Sequence, residues 1–253
     1  MSDRIASLES LSFDAWPADE VLELGGWRLR FTRGVTNRAN SVWPNRLEGA
    51  MALAERLHRV EHAYAERDLP PLFQLSAAAR PSDLDAALER RGYTVHSPTE
   101  MWTAPPTLEL PSQPASIEVV CHEDVDPAWW SLAGERGRFR DEEVPVYRRL
   151  VERLRGRACF ALASVDGEAG ATGIGVVGGD RVGVFAMRTL EHLRGRGLAR
   201  AVLAGIAVFA REREAVELYL QVERDNLPAR ALYASAGFHP AYAYHYRRLE
   251  PRG

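Results

Sequence analysis

Residues 194–199 read Arg-Gly-Arg-Gly-Leu-Ala, open a long apolar-striped helix and follow a short branched run from Val182 to Thr189. A strand, a turn with two glycines and a helix, in that order, form a phosphate cradle. Glycine lets the backbone approach an anion, the first-turn amides point at it, and the helix dipole adds favourable potential. Arg194 and Arg196 add charge-assisted contacts to a pyrophosphate. A dinucleotide-binding turn fits less well, because Arg200 stands where the last small residue of GxGxxG belongs. Further along, an alternating strand from Glu217 to Val222 leads into Asn226, Ala229, Leu232, Tyr233, Gly237 and Phe238, spaced NxxAxxLYxxxGF. The spacing predicts a helix over 228–236, with Asn226 as its cap, Pro228 in its first turn and Gly237 at its exit. Ala229, Leu232 and Tyr233 then share one face.

These two segments resemble the acyl-CoA-binding core of the GCN5-related N-acetyltransferases. The first matches the family pattern (Q/R)xxGx(G/A) at Arg194, Gly197 and Ala199, and the second matches the family's last helix, whose tyrosine commonly protonates the departing thiolate. The resemblance implies acetyl-CoA as acyl donor, and no metal is expected because no metal-ligand pattern occurs in the sequence. It assigns the pyrophosphate to Arg194, Gly195, Arg196, Gly197, Leu198 and Ala199, the pantetheine arm to the backbone of Met187 and Thr189, and further donor contacts to Asn226, Ala229 and Tyr233. Tyr233 is then the acid. Two plainer readings stay open: Met187 as core packing, and Tyr233 as a half-buried ring whose hydroxyl satisfies a backbone group.

An alkylamine titrates near ~10.4, so at neutral pH it must lose a proton before it attacks. Some family members carry a glutamate for this on the strand before the cradle, yet residues 181–189 contain no acid. Glu223 is the first candidate base. Glu217, Glu191, His192 and a water relay to backbone carbonyls are alternatives. Asp141, Glu142 and Glu143 can hold a cationic acceptor or form a solvated loop.

With 253 residues and 46% hydrophobic content, the chain can bury a full core or two small ones. A formal charge of -3 and a pI near 6.2 argue against nucleic acid as a partner. The first ten residues lack an apolar signal core, and 201–210 is too short to span a bilayer, so a cytoplasmic protein off the membrane is expected. Cys121 and Cys159 show no paired spacing and suggest neither a disulfide nor a zinc site. Every basic side chain is arginine, which leaves only the N-terminal amine open to acylation.

Strands are expected over 117–120, 159–165, 172–177, 182–189, 217–222 and 242–249, and two short helices over 127–154 broken near 140–145. A cradle helix runs from Gly197 to about Arg213. The proline-bearing stretch between Met101 and Ser116 reads as a linker. Ahead of it, strands at 27–31 and 72–75 and helices over 47–66 and 84–91 are expected. LDAALERRGY echoes ALYASAGF, which suggests a degenerate second copy without the RxxGxA pattern. The run GGWRLRFTRGVTNRANSV also resembles the N-terminal part of two-domain family members. In it, Arg33, Thr36, Asn37, Arg38, Asn40 and Ser41 either contact the acceptor or satisfy their own backbone.

The expected fold is therefore α/β (α+β): tandem domains of the acetyltransferase type, each a mixed, mostly antiparallel sheet flanked by helices. The degenerate copy would span 1–104, the linker 105–115 and the catalytic domain 116–253. The expected function is transfer of acetyl from acetyl-CoA to a primary amine on a small molecule or peptide, by a monomer or homodimer. The alternative is an acyl-CoA-binding sensor or interaction module without turnover.

Overall fold

The computed structural model describes residues 2–108, 110, 114–134 and 139–250. Along the chain run α1 (Ser2–Ala15), β1 (Glu20–Leu24), β2 (Trp27–Phe31), β3 (Val42–Trp43), α2 (Leu53–Ala65), β4 (Leu72–Leu75), α3 (Leu84–Arg90) and β5 (Thr94–Ala104). There follow β6 (Ile117–His122), α4 (Pro127–Ala133), α5 (Val144–Glu152), β7 (Ala158–Val165), β8 (Glu168–Gly178), β9 (Arg181–Thr189), α6 (Leu198–Glu212), β10 (Glu217–Glu223), α7 (Leu227–Ser235) and β11 (His239–Arg248). The chain packs as two units, Met1–Thr99 with Tyr242–Gly253, and Glu100–Ala241. Both are the mixed α+β folds expected, with mostly antiparallel sheets flanked by helices.

The boundaries expected at 104 and 116 sit differently from this division. β5 divides at Glu100, and β11 joins the first unit from Tyr242 onward. β5 takes in Trp102 to Ala104, and the prolines of the expected linker begin at Pro105. Residues 109 and 111–113 of the expected linker lie outside the described residues.

In the first unit the strand order is β1-β2-β3-β4-β11. Trp27, Leu29 and Phe31 alternate inward along β2, and Leu57, Val60 and Tyr64 bring one face of α2 onto them. The helix expected from Leu47 begins at Leu53 instead, because Gly49 holds φ at +75° and Ala52 is extended, which keeps the preceding residues out of helical geometry. α1, β1 and β3 were not expected from the sequence.

Arg56, in the first turn of α2, is fully buried. Its guanidinium donates to the carbonyls of Leu24 at 2.8 Å, Gly25 at 2.5 Å and Glu48 at 3.0 Å, and stands 5.2 Å from the Trp27 ring. Arg56→Met would keep the stem and strand those carbonyls. A loss of about 3 kcal/mol is expected in urea unfolding, and a loss under about 1 kcal/mol would show that the carbonyls find other donors.

The second unit orders its strands β5-β10-β9-β8-β7-β6. β6 to β9 form an antiparallel meander, in which the Asp166-Gly167 turn joins β7 to β8, and α6 then crosses over to set β10 parallel to β9. Leu198, Ala201, Val202, Ile206 and Phe209 bury the apolar stripe of α6 against the sheet. That crossover places the start of α6 beside the end of β9.

Candidate active site

β9 and β10 pair from Arg181–Glu217 to Val184–Leu220, and beyond that rung the two strands part. On the other side of β9 the register against β8 slips between Thr172 and Ile174, and Ala186 adopts φ +51°. This bulge bends β9 away from its neighbour. From Phe185 to Thr189 the backbone is unused by β10, and Met187 and Thr189 lie on this stretch. The Met187 side chain also packs against the core, so its two readings are compatible.

The chain then turns into α6 through Gly195 at φ +77° and Gly197 at φ +91°. A Cβ on Gly195 would meet nothing, so it is the left-handed backbone and not lack of room that calls for glycine there. The Arg194 amide donates to the Glu191 carbonyl and the Ala201 amide to the Gly197 carbonyl. Between them, no hydrogen bond among the described residues takes up the amides of residues 195–200, and no side chain caps α6. A run of consecutive free donors at the positive end of a 15-residue helix is an anion nest. Leu198 is buried and Ala199 half-buried, so both offer the nest their amides.

The arginines around the nest differ. Arg194 is exposed and lies 3.8 Å from Glu191. Arg196 donates to Asp166 at 2.6 Å, and Arg200 donates to the Ser235 hydroxyl at 3.3 Å, which joins α6 to α7.

α7 presents the rest of the site. The Asn226 side chain accepts from the Ala229 amide at 3.2 Å and caps the helix, while Ala229 and Leu232 pack against the core. Tyr233 is buried, edge-on to Phe238 at 6.0 Å. Among the described residues its hydroxyl makes no hydrogen bond, so it is not spent on a backbone group as the plainer reading would have it. Burial pushes the phenol up to about 12, and it keeps its proton throughout the neutral range.

Of the four acid-base candidates, Glu223 ends β10 on the side where the strands part, and is exposed. Glu217 begins the same strand and is held by Arg181 at 2.9 Å. His192 is paired with Glu168 at 2.8 Å, and Glu191 lies beside Arg194. In the break between α4 and α5, Arg140 pairs with Glu142 and Glu143 at 2.8 Å each, the arrangement of a solvated loop. In the first unit, Asn40 accepts from the Thr32 and Gly34 amides and donates to the Val35 and Thr36 carbonyls, and Ser41 binds Arg30. These two side chains satisfy their own surroundings. Among the described residues no group of three or more His, Cys, Asp or Glu is placed to hold a metal, and no helix is long and apolar enough to cross a membrane.

The first unit has the same parallel pair, β3 beside β4, followed by a terminal helix. Its loop into α2 offers the Glu48 carbonyl to Arg56, and the β1–β2 turn the Leu24 and Gly25 carbonyls, where the second unit offers free amides. Counting back from the terminating glycines, Leu88 stands before Gly92 where Tyr233 stands before Gly237, and Leu88 is fully buried. Among the described residues, the positions of the nest and of Tyr233 are thus filled differently in this unit.

The family model described as "Probable histone acetyltransferase Rv0428c C-terminal" matches residues 2–248. An "Uncharacterized N-acetyltransferase YobR" of Bacillus subtilis (strain 168) is 28% identical over 251 residues, 97% of this chain and 98% of the relative. Among solved structures, a GCN5-related N-acetyltransferase from Kribbella flavida superposes with a TM-score of 0.71 at 18% identity, over 100% of this chain and 96% of its own. A tandem protein of the same class from the clavulanic acid biosynthesis pathway gives 0.61 at 18% identity, over 84% and 76%.

Proposed function

The chain belongs to the GCN5-related N-acetyltransferases, in the family of the Rv0428c C-terminal acetyltransferases, and from that premise we propose that it moves the acetyl group of acetyl-CoA onto a primary amine by direct attack. The observation that carries this reading is the row of unused amides over 195–200, placed where β9 leaves β10. The diphosphate of the donor would sit on those amides with Arg194 nearby, and its pantetheine arm would pair with the backbone of Met187 and Thr189. Asn226 and Ala229 would border that arm from α7. The thioester carbonyl is then polarised by main-chain donors whose geometry the bulge fixes.

Two proton transfers remain. Glu223 is the side chain to take a proton from the incoming amine, directly or through water, because it alone of the candidates is exposed at the parting end of β10 without an ion-pair partner among the described residues. Tyr233 holds the proton that the departing sulfur needs. The attack is direct because neither cysteine borders the site: Cys121 lies on β6, the edge strand three places from β9, and Cys159 is buried with its thiol pushed up by its contact with Cys121 and by burial. The first unit is read as a copy that binds no donor, since Arg56 and Leu88 stand in for nest and acid. We also place the protein in the cytoplasm.

Calorimetry with acetyl-CoA followed by a thiol-release assay over amino acids, peptides, polyamines and aminoglycosides tests this. Donor binding and free thiol with at least one amine are expected. Tight binding without thiol on any acceptor would overturn turnover in favour of a sensor.

A further inference from the structure

No sequence motif marks Glu100, yet it is the little-exposed centre of a charge cluster in the second unit whose arginines, Arg224 and Arg230, stay partly exposed. Its side chain is 13% exposed. One carboxylate oxygen accepts from the Trp102 indole at 2.9 Å and stands 3.3 Å from the Arg230 guanidinium, and the other stands 3.3 Å from Arg224. Arg230 also donates to the Arg224 carbonyl at 3.1 Å and lies 5.8 Å from the Trp102 ring. A single carboxylate thus ties together β5, the loop that follows β10, and α7. Arg224 is next in sequence to Glu223. Arg230 is one helical turn before Tyr233.

We propose that Glu100 is a positioning residue for acyl transfer: acting through Arg230, it fastens α7 so that the Tyr233 hydroxyl is held where the sulfur leaves. The proposal rests on the acid role given to Tyr233 above. Ion pairs whose arginines are this exposed add little net stability, so what they contribute is orientation. Orientation is what a proton transfer requires, since donor and acceptor must come within about 2.6–3.2 Å and a misplacement of about 1 Å can cost about a hundredfold in rate.

The first unit supplies an independent observation. Asp85 lies seven residues before Gly92, as Arg230 lies seven before Gly237. Asp85 accepts from Arg247 at 2.6 Å and stands 3.2 Å from His245. His245 and Arg247 lie eight and ten residues past Gly237, as Glu100 and Trp102 lie eight and ten past Gly92. The fastening therefore recurs at the same helix and strand positions with its charges inverted. Each helix is matched to the strand that arrives from the other repeat of the sequence. Against their own strands, Asp85 would face Glu100 and Arg230 would face Arg247, both repulsive, so the signs also decide which strand each helix accepts.

Glu100→Gln keeps the volume and an acceptor for Trp102 while removing the charge. We expect kcat to fall about tenfold with KM for acetyl-CoA within about twofold, the split of an interaction that acts on the chemical step. Amide exchange over residues 229–233 should quicken. In a double-mutant cycle, Glu100→Gln should cost nothing further in a Tyr233→Phe background, because its effect runs through the phenol. Unchanged kcat, or additive losses in the cycle, would overturn the proposal and leave the acid standing. A silent Tyr233→Phe would instead remove the acid, and this inference with it.

Discussion

Gly197→Asp is expected to weaken acetyl-CoA binding at least a hundredfold by calorimetry, with the circular dichroism of the folded chain retained. Two costs add. The residue holds φ +91°, where any side chain is strained by on the order of 1–2 kcal/mol. The new carboxylate would also stand among the amides of 195–200 and meet the donor's diphosphate, a like-charge contact worth about 4 kcal/mol at 4 Å in a partly exposed site. Gly197→Ala separates the two, because it keeps the strain and adds no charge. A loss of about tenfold or less is expected from it, with little dependence on salt, whereas the aspartate's loss should shrink as ionic strength rises. Equal affinity for wild type and Gly197→Asp would take the diphosphate away from this nest.

The parts of the site legible in the sequence are those whose chemistry is local. Gly195 and Gly197 announce positive φ, Asn226 and Gly237 announce the two ends of a helix, and Asp166-Gly167 announces a hairpin; each is decided by a few neighbouring residues and each is found in place. What stayed hidden depends on partners far along the chain. α1 turns Ile5, Leu8, Glu9, Ser12 and Ala15 inward, and with two of those five polar and Ala15 small, its buried stripe carries only a weak apolar period. β5 runs on to Ala104 through a segment whose prolines suggested a linker, and its Glu100 gains meaning only when Arg224 and Arg230 meet it. The parting of β9 from β10 is likewise invisible in composition, because it follows from the bulge at Ala186 and the register on either side.

Tyr233→Phe is expected to lower kcat about a hundredfold while leaving acetyl-CoA affinity within about twofold, the signature of a group that acts on the leaving thiolate and not on ground-state binding. The substitution is unusually clean here. The hydroxyl has no hydrogen-bond partner among the described residues, and the ring keeps its edge contact with Phe238, so the unfolding free energy should change by less than about 0.5 kcal/mol. Equal losses of kcat and affinity would assign Tyr233 to packing. The pH profile gives a second reading. Burial raises the phenol to about 12, so the protonated, acid-competent form persists below that value and is lost only as pH rises through it. In the wild type, kcat/KM for the acceptor should climb as the amine deprotonates toward ~10.4 and show no falling limb near 10, where an unburied phenol would ionise. A falling limb near 10 that disappears in Tyr233→Phe would place the hydroxyl in water and not against the thioester. A falling limb that persists in the variant would belong to another acid, and the proton for the sulfur would have to be sought there.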